Sequence, residues 1–212
     1  MRPPIRVILV DDHALVMAGY ARLLALEDDI VVAGEYTSAD AAYRALQHDP
    51  GRADVMVLDL SMPGRSGLDL MQRLPVRCPN LRVVACTMHD SAAMVAQAMR
   101  AGAWAFITKS SDPALLADAI RRVATGERVL SPDVDNAADR PGAGPPHEAL
   151  SAREFDVLLR LARGDSIDQI AQAMRIAPKT AANLQALIRA KLGLSSALDL
   201  LRYARQHRIV FD

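Results

Sequence analysis

Hydrophobic positions fall into two regimes along the chain. Up to about residue 128, short apolar runs alternate with segments whose apolar residues recur at spacings of three and four. The runs are IRVILV (5–10), IVVAGE (30–35), DVMVLDL (54–60), LRVVACT (81–87) and AWAFIT (103–108). Each is rich in Val, Ile or aromatic residues, the pattern of strands buried on both faces. Segments 13–26, 38–47, 66–74, 90–101 and 112–125 carry the helical spacing. Ser38 and the pair Asp112-Pro113 mark helix starts, and Gly102 and Gly126 mark stops. Five strand–helix units in series predict an α/β doubly wound five-stranded parallel sheet, with strand order 2-1-3-4-5.

Beyond residue 147 only the helical spacing remains, over 151–162, 166–174, 178–191 and 195–207. Ser151 with Glu154 forms a capping box, and Gly164 and Gly193 end helices. This predicts a small all-α unit. Between the two regimes lies SPDVDNAADRPGAGPPH (131–147), with four prolines and two glycines. Such a stretch is a flexible linker with a coil-like reach of roughly 20–25 Å. The chain divides into domain 1–128, linker 129–147 and domain 148–212.

Composition narrows the picture only a little. The 212 residues suit one large or two modest domains, and 51% are hydrophobic, enough for a sizeable core. The 25 basic and 25 acidic residues cancel, so no global charge draws the chain to nucleic acid or membrane. The helical part is mildly positive, with ten basic and seven acidic residues. MRPPIR leads into a strand rather than a signal-peptide core, and no apolar run reaches the ~18 residues of a membrane span. A cytoplasmic protein with no membrane partner is expected. Cys78 and Cys86 fit no metal or redox spacing.

The candidate chemistry lies at the ends of the strands. In an open parallel sheet, ligands bind outside the carboxyl ends, where strand order reverses. Asp11 and Asp12 end the first strand, Asp59 the third and Thr87 the fourth; Lys109 follows the fifth. Taken singly, Asp11-Asp12 could be a helix cap, Asp59 a turn residue and Lys109 a solvated side chain. Together, three carboxylates in one cleft repel by roughly 4 kcal/mol for a pair at 4 Å. A divalent cation removes that repulsion, and Mg²⁺ favours one or two carboxylates with waters and phosphate oxygens. Asp59 would then be free to attack phosphorus and form an acyl phosphate. Lys109 and the Thr87 hydroxyl would hold phosphoryl oxygens.

The motifs VDDH, DLSMPGRSGLDL, Thr87 and GAWAFITKS resemble the receiver domain of two-component response regulators over about 125 residues. The resemblance implies that Asp59 takes its phosphoryl group from a sensor histidine kinase. It implies Mg²⁺ held directly by Asp12, mainly through water by Asp11, and by Asp59 and the Ser61 backbone carbonyl. It also implies a switch pair in which Thr87 turns toward the phosphoryl group and the ring of Phe106 moves inward. Phe106 stands where tyrosine is common, and a plain core aromatic is the other reading of it. Pro63 and Gly67 would shape the loop after Asp59. The receiver would hydrolyse its own acyl phosphate slowly and have no outward enzyme activity.

Helices 166–174 and 178–191, joined by RIAP, read either as a helix-turn-helix or as a plain helical bundle. The run LSAREFDVLLRLARGDSIDQIAQAMRIAPKTAANLQALIRAKLGLSS resembles the LuxR-type DNA-binding domain. With the receiver, the chain is similar to the NarL/FixJ class of transcriptional regulators. That resemblance implies promoter DNA as a partner and a homodimer, formed through the last helix, when phosphorylated. The recognition helix departs from the class. It carries Ala182, Asn183 and Ala186 where lysine and other polar groups are common, and Leu184 at a usual histidine. Arg175, Lys179, Thr180, Arg189 and Lys191 remain for phosphates, and Asn183 and Gln185 for adenine edges. Ala182 and Ala186 offer only apolar contact. Weaker or dimer-dependent binding is expected. The competing reading is a phosphorylation-dependent protein-interaction regulator that has lost sequence-specific DNA binding. A phospho-aspartate enzyme is a third, though His13 and His89 near the mouth read as surface side chains.

Overall fold

The computed structural model describes residues 3–62, 67–88, 92–130, 146–207 and 209. The five expected strands form in the expected order: β1 (Ile5–Val10), β2 (Ile30–Tyr36), β3 (Val55–Leu58), β4 (Arg82–Thr87) and β5 (Ala105–Thr108). All pairings are parallel, and a sixth strand, β6 (Val129–Leu130), extends the sheet to β2-β1-β3-β4-β5-β6. Residues 129–130 therefore belong to the sheet, where a linker was expected to begin. Leu130 pairs with Phe106, so the chain leaves the sheet beside β5.

Helices cover both faces because the strands alternate side chains between two apolar layers. Val7 and Leu9 point to α1 (Ala14–Leu24) and α5 (Ala114–Ala124). Ile8 and Val10 point to α2 (Ala39–His48), α3 (Gly67–Arg77) and α4 (Ala92–Arg100). β3 is buried along its whole length, as its unbroken VMVL implies. Ser38 caps α2 by accepting from the Ala41 N–H, and Asp112 does the same for Ala114 at the head of α5.

The helical part contains α6 (Ala152–Ala162), α7 (Ile167–Met174), α8 (Pro178–Leu192) and α9 (Ala197–Gln206). Capping boxes open three of them: Ser151 with Glu154, Ser166 with Gln169, and Ser196 with Asp199. Gly193 ends α8 at φ +67°, a conformation that favours glycine. Arg175 closes α7 at φ 53°, and is the only non-glycine residue with positive φ among those described. Phe155, Leu158, Ile170, Ala181, Ile188 and Leu200 fill the core between the helices.

The expected linker residues 131–145 lie outside the described residues. Residues 146–147, also expected to be linker, are folded. Pro146–Ala149 forms a 3₁₀ turn against α4 and α8, with His147 buried. The Tyr203 hydroxyl accepts from the His147 backbone N–H at 3.3 Å and lies 2.8 Å from its Nδ1. The ring of His207 lies tilted against Tyr203 at 4.2 Å and meets His147 edge-on at 5.1 Å. Burial, then the charges of His207 and Arg100, lower the His147 imidazole to about 4. The unfolded chain therefore takes up a proton near pH 6.5 that the folded chain refuses until about pH 4. The contribution of His147 to stability is expected to be constant above that window and to fall through it as pH drops, by up to about 3 kcal/mol. Urea titrations of wild type and His147→Gln between pH 7 and 4 check this. Parallel pH profiles for the two proteins would refute it.

Candidate phosphoacceptor site and DNA-facing helix

Backbone hydrogen bonds set the strand ends level. The Asp59 N–H donates to Val10 O at 2.9 Å, and the Lys109 N–H donates to Thr87 O at 2.8 Å. Asp11, Asp59, Thr87 and Lys109 are thus brought to one edge, as the strand order requires. Asp59 and Asp11 are buried, and the Lys109 side chain is 4% exposed. Its Nζ bridges Asp11 Oδ2 at 2.7 Å and Asp59 Oδ2 at 2.8 Å. Burial alone would lower the Lys109 ammonium, but hydrogen bonds and charge from the two carboxylates raise it overall. The other Asp59 oxygen accepts the Ser61 N–H at 3.0 Å, and Ser61 Oγ lies 3.5 Å from Thr87 Oγ1.

The acidic pair does not cap α1. Its N-cap is His13, which makes no side-chain cap bond. Asp11 Oδ1 instead accepts the His13 N–H at 2.8 Å, forming a local turn. Asp11, Asp12, His13 and Asp59 offer ligand atoms within 4.8 Å of one another. Asp12 Oδ1 is buried and accepts no hydrogen bond, although His13 Nδ1 stands 3.2 Å away. An orphaned carboxylate oxygen beside two further carboxylates is the donor set a hard divalent cation needs.

Phe106 is wholly buried and packs in the layer that holds Met94, Val95 and Ala98 of α4. Its ring therefore already lies inward. Gly67 opens α3 directly under the site. A Cβ there would sit 2.5 Å from Asp59 O and 2.9 Å from Leu60 Cα. Pro63 and His89 lie outside the described residues. Sequence reasoning passed over an apolar groove of about 520 Å³ beside Lys109, lined in part by Tyr20, Leu23, Leu26, Met88 and Pro113. The Tyr20 hydroxyl there is 3.2 Å from Cys86 Sγ, and burial holds that thiol up at about 11.

The nine expected DNA contacts, eight on α8 and Arg175 at the end of α7, divide. Lys179, Thr180, Ala182, Asn183 and Ala186 are exposed. Gln185 is half-buried and lines a cleft with Leu200 and Leu201 of α9. Leu184 packs against the core. Lys191 reaches back to Glu154 at 2.8 Å, and Arg189 donates to Ser195 O at 3.3 Å while its buried Nε has no partner. Arg175 is mostly exposed but pairs with Asp40 of α2 at 2.8 Å.

Comparison with known proteins decides what this pairing of domains is. Residues 7–121 match the family described as response regulator receiver domain, and residues 148–204 match bacterial regulatory proteins of the luxR family. The transcriptional regulatory protein UhpA of Escherichia coli (strain K12) is 38% identical over 93% of this chain and 96% of its own length.

The chain belongs to the response regulators.

It combines a receiver with a LuxR-type DNA-binding domain in the NarL/FixJ arrangement. RcsB from Salmonella enterica serovar Typhimurium, bound to promoter P1flhDC in the presence of phosphomimetic BeF3-, is a structural relative of this response regulator. It is 27% identical, with a TM-score of 0.71 over 94% of this chain and 97% of that one. A structure of two RcsB dimers bound to two parallel DNAs also matches at 25% identity. Its TM-score is 0.61, over 95% of this chain and 98% of that one. No helix among the described residues is long and apolar enough to cross a membrane.

Proposed function

We propose that this regulator receives a phosphoryl group on Asp59 from the phosphohistidine of a sensor histidine kinase, in the cytoplasm, and controls transcription by binding promoter DNA as a dimer. One observation carries the reading. A buried carboxylate, Asp59, shares a pocket at the sheet's carboxyl edge with a buried lysine and two further carboxylates.

The chemistry balances without an outside reagent. A carboxylate oxygen of Asp59 attacks phosphorus, the phosphorus–nitrogen bond of the donor breaks, and the imidazole leaves to take up a proton. Lys109 Nζ, now on Asp59 Oδ2, moves to a phosphoryl oxygen and offsets its charge. The Thr87 hydroxyl, at the adjacent strand end, donates to another. Asp11, Asp12, Asp59 and the Ser61 carbonyl would hold Mg²⁺, which when bound screens the carboxylates from the phosphate. The apolar groove beside Lys109 gives a helix of the donor a place to lie.

For DNA, the exposed face of α8 carries Lys179 and Thr180 for phosphates and Asn183 for an adenine edge. Ala182 and Ala186 add apolar contact, for instance with a thymine methyl. Arg175 would join them on leaving Asp40. The protein is to be sized by light scattering with and without Mg²⁺ and acetyl phosphate, as wild type and Asp59→Ala. The same samples are passed over random-sequence duplexes, and the retained DNA is sequenced. Wild type alone should dimerise and enrich a two-fold motif. Phosphoryl uptake without DNA retention would instead favour a protein-interaction regulator.

A further inference from the structure

The phosphoryl chemistry makes no use of His13, yet its ring is turned to the carboxylates. Nδ1 stands 3.2 Å from Asp11 Oδ1 and 3.2 Å from Asp12 Oδ1. The backbone pins the residue there. Its N–H donates to Asp11 Oδ1 at 2.8 Å, and its carbonyl accepts the Met17 N–H of α1 at 3.1 Å. Helix capping does not explain where the ring lies, since the side chain makes no cap bond. Hydrogen bonding accounts for only one of the two contacts. Nδ1 carries at most one proton, its bond goes to Asp11 Oδ1, and Asp12 Oδ1 is left buried without a partner. Lys109 takes the Oδ2 atoms of Asp11 and Asp59 and leaves that oxygen as it is.

The spacing is that of ligands around one ion. Neighbouring ligands at right angles, with bonds of about 2.1 Å, lie ~3.0 Å apart, and opposite ones ~4.2 Å. The two Nδ1–oxygen separations are close to the first figure. One ligand atom from each of Asp11, Asp12, His13 and Asp59 lies within 4.8 Å of all the others, little beyond the second. The donors are therefore three carboxylates and one imidazole nitrogen. Mg²⁺ is best served by oxygen alone. Imidazole suits ions later in the first transition row, and affinity for such a mixed site rises from Mn²⁺ through Co²⁺ to Ni²⁺. A neutral ring with its proton on Nε2 offers the Nδ1 lone pair.

We propose that His13 is a ligand at this site and tunes it toward a divalent transition ion in preference to Mg²⁺. This rests on the acidic cation site proposed above and goes beyond it in naming the class of ion. The His13 side chain is 61% exposed and that of Asp12 26%, while Asp11 and Asp59 are buried, so an ion enters from the His13 side. Mg²⁺ is met there by oxygen, and a nitrogen-seeking ion gains one further bond. The receiver then takes up phosphate at concentrations of such an ion well below the Mg²⁺ it otherwise needs.

Co²⁺ is the probe, because it shifts the proton signals of any histidine bound to it. Affinities of the full chain for Co²⁺ and for Mg²⁺ are measured by calorimetry in wild type, His13→Ala, Asp12→Asn and His48→Ala, and proton spectra of the Co²⁺ forms are recorded. Wild type should prefer Co²⁺ and show one strongly shifted Nε2–H signal. His13→Ala should lose that signal and cut the ratio of Co²⁺ to Mg²⁺ affinity by about tenfold or more, at least what loss of a group that merely supports a ligand costs. His48→Ala, altered at an exposed histidine elsewhere, should keep both. Should the alanine variant fail to fold, His13→Asn, a favoured helix cap, gives the same reading. An unchanged ratio in His13→Ala overturns the proposal. So does Co²⁺ binding undiminished in Asp12→Asn, since the ion then sits elsewhere. Mg²⁺ that binds wild type and Asp12→Asn alike would instead refute the acidic cation site itself. His13 would then be judged by its Co²⁺ signal alone.

Discussion

Lys109→Met should lower stability by about 3–5 kcal/mol in buffer free of divalent cations, the usual consequence of removing one partner of a buried ion pair. The side chain is buried, and its ammonium lies within 2.8 Å of both Asp11 and Asp59. Methionine matches the stem in length but leaves the buried carboxylates of Asp11 and Asp59 facing each other without a cation. Added Mg²⁺ should recover much of the loss, because a bound cation stabilises the folded form in proportion to the logarithm of its concentration. The gain from Mg²⁺ should be larger in the variant than in wild type. Urea unfolding at several Mg²⁺ concentrations gives both quantities. A change below about 0.5 kcal/mol, typical of a surface lysine, would mean that the cluster is not held by this charge.

The second large effect concerns a residue with no side chain. Gly67→Val should abolish phosphoryl uptake at Asp59 and destabilise the receiver by about 1–3 kcal/mol or more, as overpacking does. The atoms a Cβ would strike are backbone, Asp59 O and Leu60 Cα, so no rotamer change relieves the contact. The strand end carrying Asp59 must move away from α3, and Asp59 loses its register with Lys109. Phosphoryl uptake from acetyl phosphate, read by mass, and a thermal melt check this together. Normal uptake in a folded Gly67→Val would show that the close approach of α3 is dispensable.

The receiver was largely legible because its signals are local and repeated. Buried parallel strands read as unbroken apolar runs, and Asp11, Asp12, Asp59, Thr87 and Lys109 lie at or just past the ends of such runs. Strand order then supplies the long-range step that brings Asp11, Asp59, Thr87 and Lys109 together. Where local signals were short or misleading, the reading went astray. Val129–Leu130 is too brief to show a period, and prolines follow it, so it was read as linker. Pro146 has the same composition signal, yet Gln97 and Tyr203, some fifty positions away on either side, fold that turn onto the receiver. Gln185, expected with Asn183 to read adenine edges, is half-buried in the structure. It lies at the edge of the stripe formed by Ala181, Ile188 and Leu192 and shares a cleft with α9. Lys191, an expected phosphate contact, pairs with Glu154, thirty-seven positions earlier, through packing of α6 on α8. Nothing in sequence spacing announces such pairs.

The scarcity of lysine has a practical consequence. The chain has three lysines, and the fold gives each a different accessibility. Lys109 is sealed beneath the carboxylates, Lys191 is half-covered and held by Glu154, and Lys179 stands exposed at the head of α8. A mild amine-directed reagent would therefore modify Lys179 first, apart from the amino terminus. Acylation at that one position is a footprint of the DNA-facing surface, slowed when duplex covers it. Any modification appearing at Lys109 would report that the receiver itself had opened.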